Sequence, residues 1–112
     1  MTDCLFCRIV QGKLPSERVH EDGDVIVIRD IYPKAPVHLL VIPRIHCDSL
    51  NELAPEHDRL IAHMIRLLPE LARREGLADG FRVVINTGRG GGQEILHLHI
   101  HLLGGTGHLP GF

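Results

Sequence analysis

Gly90-Gly91-Gly92-Gln93-Glu94-Ile95-Leu96-His97-Leu98-His99-Ile100-His101-Leu102-Leu103-Gly104-Gly105 is the stretch that decides the fold. A glycine loop leads into alternating histidine and aliphatic residues, and Gly104-Gly105 closes the run. Alternation with period two predicts a β-strand over residues 95–103. His97, His99 and His101 then share one face, and Leu96, Leu98, Ile100 and Leu102 share the other. The aliphatic face belongs in a core. The histidine face must look into something that uses imidazoles.

Working outward, the remaining strands are short. Glu17 to Glu21 and Val25 to Arg29 flank Asp22-Gly23-Asp24, which reads as a hairpin turn tolerant of positive φ. His38 to Pro43 is a third strand, stopped by its proline, and Phe81 to Asn86 is a fourth. Leu5, Phe6, Ile9 and Val10 are spaced for a short helical turn within residues 1–14. Pro55 to Glu75 is a long helix. Pro55 suits its first position, and Leu60, Ile61, Met64, Leu67, Leu68 and Leu71 form one apolar stripe. Arg73 and Arg74 suit the C-terminal dipole, Gly76 is a natural stop, and Pro69 should kink the helix. Hairpin-like connections and one main helix predict an α+β domain, residues 1–112, with a mainly antiparallel five-stranded sheet.

Composition narrows the function. The 112 residues are 44% hydrophobic but only 4% aromatic with no Trp, so the core is aliphatic. With a net charge of −2, nothing suggests an electrostatic nucleic-acid binder. No run reaches transmembrane length, and Met1-Thr2-Asp3-Cys4 carries no leader pattern, so a cytoplasmic location is expected. There the cysteines of Cys4-Leu5-Phe6-Cys7 are expected as thiols or metal ligands. Nine histidines is the unusual count.

What can three alternating histidines do? At roughly 3.3 Å per residue, His97 and His101 lie ~13 Å apart along a strand, which disfavours one metal held by all three. No Asp or Glu follows nearby to suit a catalytic zinc. Covalent catalysis fits better. A neutral imidazole is a good nucleophile near neutral pH and can take up a phosphoryl group that water then removes. Flanking histidines can orient it or carry protons. The glycine loop offers backbone N–H groups to phosphate oxygens, and Asn86 and Gln93 flank that loop.

His97-Leu98-His99-Ile100-His101-Leu102-Leu103 resembles the signature of the histidine triad superfamily. Asp30-Ile31, Pro36 to Pro43, the Pro-led helix entry, Phe81 to Asn86 and Gly91-Gly92-Gln93-Glu94 extend the resemblance to its nucleoside phosphoramidase (Hint) branch, over about residues 4–105. The resemblance implies that His99 is the nucleophile, that His101 contacts phosphate or the leaving group, and that His38 and His97 complete a relay. It implies that Asn86, Gln93 and the Gly92 backbone hold the α-phosphate, with Asp30 on the ribose hydroxyls. Leu5, Phe6, Ile9, Ile28, Ile31 and Leu40 match the purine pocket, although each also reads as ordinary core. The implied reaction is hydrolysis of adenosine or other purine nucleoside 5′-phosphoramidates, AMP or GMP joined to an amine, by a homodimer that shares the long helix and a strand.

Some residues depart from that branch. Many of its members lack the Cys4–Cys7 pair. Other superfamily members carry zinc, and the matching positions are Cys4, Cys7, His46 and His97, two thiolates and two imidazoles suited to a closed structural site. Cys47 reads as a small packed residue. Glu94 stands where many members have a serine that helps protonate the amine, so the general acid is open. The tail from Thr106 to Phe112 lacks a Trp that some members have. The rival readings are a dinucleoside polyphosphate hydrolase and a nucleotide-binding protein with little activity. Leu103-Gly104-Gly105 favours the phosphoramidase over the first, and the intact triad with Asn86 and Gln93 argues against the second.

Overall fold

A computed structural model describes residues 4–106 and 109–111. Helix α1 (Leu5–Val10) is followed by strands β1 (Arg18–Glu21), β2 (Val25–Arg29) and β3 (Val37–Pro43), helix α2 (Asp58–Arg74), and strands β4 (Arg82–Val84) and β5 (Ile100–Gly104). The strands form one antiparallel sheet in the order β1-β2-β3-β5-β4. This is the expected α+β arrangement. Among the described residues no helix is long and apolar enough to cross a membrane.

Both faces of the sheet centre are covered, which is why β2 is an unbroken β-branched run. Val25, Val27, Leu39, Val41, Ile100 and Leu102 meet Met64, Leu67, Leu68 and Leu71 of α2. On the opposite face Ile26, Ile28, Leu40 and Ile42 meet Phe6 and Ile9 of α1. Leu40 stands directly across from His101, so the triad looks out on the α1 side. Helix α2 opens with a 3₁₀ turn (Pro55–His57) and runs through Pro69. It ends in a Schellman motif, with Gly76 at φ +76° and Leu77 N–H donating to Ala72 O at 2.9 Å. A bidentate pair from Arg29 to Glu75 (2.7 and 3.0 Å) ties its end to β2.

Two expectations need correction. Gly23 does not take positive φ. The turn is held instead by Asp22 Oδ1, which accepts from the N–H groups of Asp24 (2.8 Å) and Val25 (3.0 Å). The histidine strand is also shorter than its alternation predicts. Its last pair with β3 is Val41 with Ile100, so Pro43 would stand opposite Leu98 with no N–H to give. Leu98 N–H donates instead to Cys47 O at 2.7 Å, and the 95–99 segment leaves the ladder. Leu98, Ile100 and Leu102 are in the core as expected, but Leu96 is 57% exposed.

Those placements separate two leucines. Leu71→Ala should lower stability by about 2–5 kcal/mol, whereas Leu96→Ala should stay within about 0.5 kcal/mol; urea-melting midpoints measure both. Equal losses would return Leu96 to the core.

Candidate active site and metal centre

Three imidazoles meet on the α1 face, and their hydrogen bonds define their tautomers. His99 Nδ1 lies 2.7 Å from the His97 carbonyl, which can only accept, so Nδ1 carries the proton and Nε2 keeps its lone pair. Lys34 N–H donates to His38 Nδ1 at 3.1 Å, so the His38 proton sits on Nε2. That Nε2–H donates to His101 Nδ1 at 2.9 Å, leaving the neutral His101 proton on Nε2. The site therefore presents a nucleophilic nitrogen on His99 and an N–H on His101, with ring centroids 5.0 Å apart. Phe6 meets the His99 ring edge-on at 5.0 Å.

Burial keeps these rings neutral. It lowers the pKa of His38, His99 and His101, that of His101 to about 4, where the neighbouring His99 and His38 add to the shift. Asp30 opposes these shifts without reversing them. Its Oδ1 accepts from Tyr32 N–H at 2.9 Å, and its Oδ2 is 3.4 Å from His38 Nε2. Each carboxylate oxygen retains a lone pair for a further donor. Asp30, His38 and His101 also lie close enough to share an ion. The Lys34 N–H opposes that use, because it puts a proton on the His38 nitrogen that faces His101.

The glycine loop is built on Gly88 (φ +69°) and Gly92 (φ +84°). Gln93 Oε1 accepts from Gly88 N–H at 2.8 Å, while its Nε2 donates to Asp48 O at 2.6 Å and Ile95 O at 2.9 Å. Gly92 N–H donates to Arg89 O at 3.0 Å. The donors of Gln93 and Gly92 are thus engaged in shaping the loop. Asn86 is half-buried two residues past Val84, which pairs with His101. Phe6, Ile9, Ile28 and Leu40 are buried in one cluster beneath the histidines, whereas Leu5 is 39% and Ile31 79% exposed. Glu94 is exposed and lines a groove of about 520 Å³ with Cys4, Leu5, His46, Asp48, Ile95 and Leu96.

His97 points away from the other two rings of the triad. Its Nδ1 lies 3.3 Å from Cys4 Sγ and 3.5 Å from Cys7 Sγ, and its Nε2–H donates to Pro43 O at 2.9 Å. His46 Nδ1 is 3.3 Å from Cys7 Sγ, and its Nε2–H donates to Asp48 Oδ1 at 2.7 Å. Both imidazoles thus keep a proton on the outer nitrogen and aim the inner one at sulfur. Carbonyl and carboxylate partners behind histidine ligands hold metal-binding rings in this way. Cys7 N–H donates to Cys4 Sγ at 3.3 Å, a bond that suits a thiolate. Two sulfurs and two imidazole nitrogens, all within 4.8 Å of one another, fit tetrahedral zinc. His97 therefore takes no part in the ring relay that the resemblance assigned to it; its carbonyl orients His99. The bonds of Lys34, Pro43 and Asp48 escaped sequence reading. Only Asp48 carried a signal, standing two residues after His46.

The chain matches, over residues 3–110, the family model described as "Scavenger mRNA decapping enzyme C-term binding". This chain belongs to the histidine triad family. It is 51% identical over 104 residues to "Protein HitA" of Neisseria gonorrhoeae, covering 93% of this chain and 97% of that one. It is 42% identical over 104 residues to the "Purine nucleoside phosphoramidase" of Escherichia coli strain K12, covering 92% and 87%. Among solved structures, a histidine triad protein from Clostridium difficile superposes with a TM-score of 0.95 at 40% identity, covering 100% of this chain and 97% of that one.

Because His101 titrates near 6.5 when unfolded and about 4 when folded, the unfolded chain binds more protons between those values. Its contribution to stability should be complete above about 6.5 and decline as pH falls toward 4. Urea midpoints across that range should fall with acid, and His101→Asn should flatten the slope. An unchanged slope would remove His101 as the source.

Proposed function

We propose that this protein is a purine nucleoside phosphoramidase, acting on AMP- or GMP-amine adducts through a nucleotidyl-His99 intermediate. The observation that carries the reading is the 2.7 Å bond from His99 Nδ1–H to the His97 carbonyl, which leaves Nε2 as a free nucleophile. Its likeness to a relative named for this activity supports the nucleotide class.

His99 Nε2 attacks the α-phosphorus as the P–N bond breaks. The departing nitrogen takes up one proton and leaves as the free amine. His101 donates from Nε2 to the phosphoryl oxygens as charge builds on them, held in place by His38. Water then attacks phosphorus, the bond to His99 breaks, and one water proton is released while the phosphate keeps the other. Asp30 accepts from the ribose hydroxyls, Asn86 reaches a phosphate oxygen, and the base lies against the apolar floor around Phe6, Ile9, Ile28 and Leu40, with Leu5 and Ile31 at its rim. Gln93 supports this by fixing the loop, and Gly92 by allowing its turn.

The Cys4, Cys7, His46 and His97 centre is proposed to hold structural zinc. Zinc would supply a fixed link between α1 and the catalytic segment and takes no part in the reaction. A homodimer is proposed through edge strand β4, where Phe81 and Val83 stay exposed.

His99→Ala should lower release of amine from an adenosine phosphoramidate on the order of 10⁴-fold or more, and rapid quenching of the native protein should trap nucleotide on His99. Faster turnover of diadenosine polyphosphates than of phosphoramidates would move the assignment to the P–O–P branch. Protein purified without chelator should carry one zinc per chain, falling in Cys7→Ser; zinc well below one per chain would refute that centre.

A further inference from the structure

A second group of ligand-type side chains lies where the β1–β2 turn meets α2, outside the site described above. Asp22, in the turn, has Oδ1 pinned by the N–H groups of Asp24 and Val25. That aims Oδ2 at two imidazoles, His20 Nε2 at 2.9 Å and His63 Nε2 at 2.8 Å. His63 belongs to α2, so the contact joins two elements far apart in the chain. Asp22, Asp24 and His63 each offer one ligand atom, and all three atoms lie within 4.8 Å of one another.

The tautomers separate this group from a purely hydrogen-bonded cluster. Arg74 donates to His20 Nδ1 at 3.2 Å, which fixes the His20 proton on Nε2 and makes it a donor to Asp22. Among the described residues His63 has no such constraint, since only its Nε2 is engaged. Its proton can move to Nδ1 and leave the Nε2 lone pair free. The active-site trio lacks this freedom, because Lys34 holds the His38 tautomer. Charge also favours a cation. Arg74 is paired with Glu70, while Arg18 and Arg44 share Glu21, which leaves one guanidinium charge against the two carboxylates of Asp22 and Asp24. One negative charge is left in excess. Burial works to raise the Asp22 carboxyl, and its hydrogen bonds override that and hold it well below the usual carboxylate range.

We propose that Asp22, Asp24 and His63 form a second metal site that takes a divalent first-row ion of the manganese type through two carboxylates and one imidazole, with water filling the remaining positions. This donor set is oxygen-rich and open, unlike the closed thiolate centre, so the two sites select different ions. The ion replaces the proton between His63 and Asp22 and clamps the β1–β2 turn to α2. His20, held by Arg74, orients Asp22 and is not a ligand. Such an ion stabilises the fold by mass action and leaves the chemistry to His99.

The test uses the full-length, zinc-loaded, ¹⁵N-labelled protein titrated with Mn²⁺. The amides of Gly23, Asp24 and His63 should broaden before any others. Asp24→Asn and His63→Gln should each raise the Mn²⁺ dissociation constant about tenfold or more while circular dichroism and phosphoramidate turnover stay unchanged. Thermal stabilisation by Mn²⁺ should disappear in the same two variants. Broadening that centres on His38 and His101, or that is equal in the native protein and both variants, would overturn the proposal. Because the readout is the position of Mn²⁺, a negative result leaves the reaction at His99 separately testable.

Discussion

The hydrogen bond from His99 to the His97 carbonyl is the contact on which the site depends, and it exists because a ladder is broken. In a regular sheet the His97 carbonyl would belong to a neighbouring strand. Here β3 ends at Pro43, and Leu98 turns to Cys47 instead. Pairing with β4 stops at Val84 and His101, so the carbonyl two residues before His99 is free to accept from that ring at 2.7 Å. The end of that pairing thus frees an acceptor and selects which imidazole nitrogen stays basic. Pro43 also offers its own carbonyl to His97 Nε2 at 2.9 Å, so it orients the ring that faces the cysteines.

The second constraint is burial. A sheet covered on both faces places His38, His97 and His99 among its least exposed polar groups. Removing them from water disfavours their charged forms, as the lowered pKa values of all three show. A neutral imidazole is required both for attack on phosphorus and for metal ligation, and the apolar residues supply that condition. Phe6 contributes twice, packing with Ile26 and Leu40 in the core and standing edge-on to His99. The core and the histidine site thus draw on one surface, and Phe6 belongs to both.

The sequence made the periodic elements legible. The β2 run, the α2 stripe and the Gly76 stop follow from side-chain spacing and local backbone preference, and all three stand in the fold. The break in the histidine strand did not follow, because alternation continues through Leu96 while pairing stops at Ile100. Finding it requires knowing that Pro43 falls opposite Leu98, which is a fact of register and not of composition. Asp22 was read only as part of a turn, since nothing local reveals that His63, on another element, reaches the same oxygen. Gln93 was read as a phosphate donor from its place beside glycines, whereas in the fold its amide closes the loop.

Six histidines in this chain carry the same side chain into different tasks, and the partner at one ring nitrogen sorts them. An acceptor behind Nε2, the Pro43 carbonyl for His97 or the Asp48 carboxylate for His46, leaves Nδ1 for sulfur and metal. An acceptor at Nδ1, as for His99, leaves Nε2 basic and suited to attack. A donor at Nδ1, the Lys34 N–H for His38 or the Arg74 guanidinium for His20, makes Nε2 a fixed proton donor. His101 follows from His38, since it receives that proton's hydrogen bond and must keep its own on the far side. The triad is therefore not three equivalent groups on one face. Its first ring is turned to the cysteines, its second keeps a basic Nε2 and its third an Nε2–H, and the differences arise in partners outside the three rings.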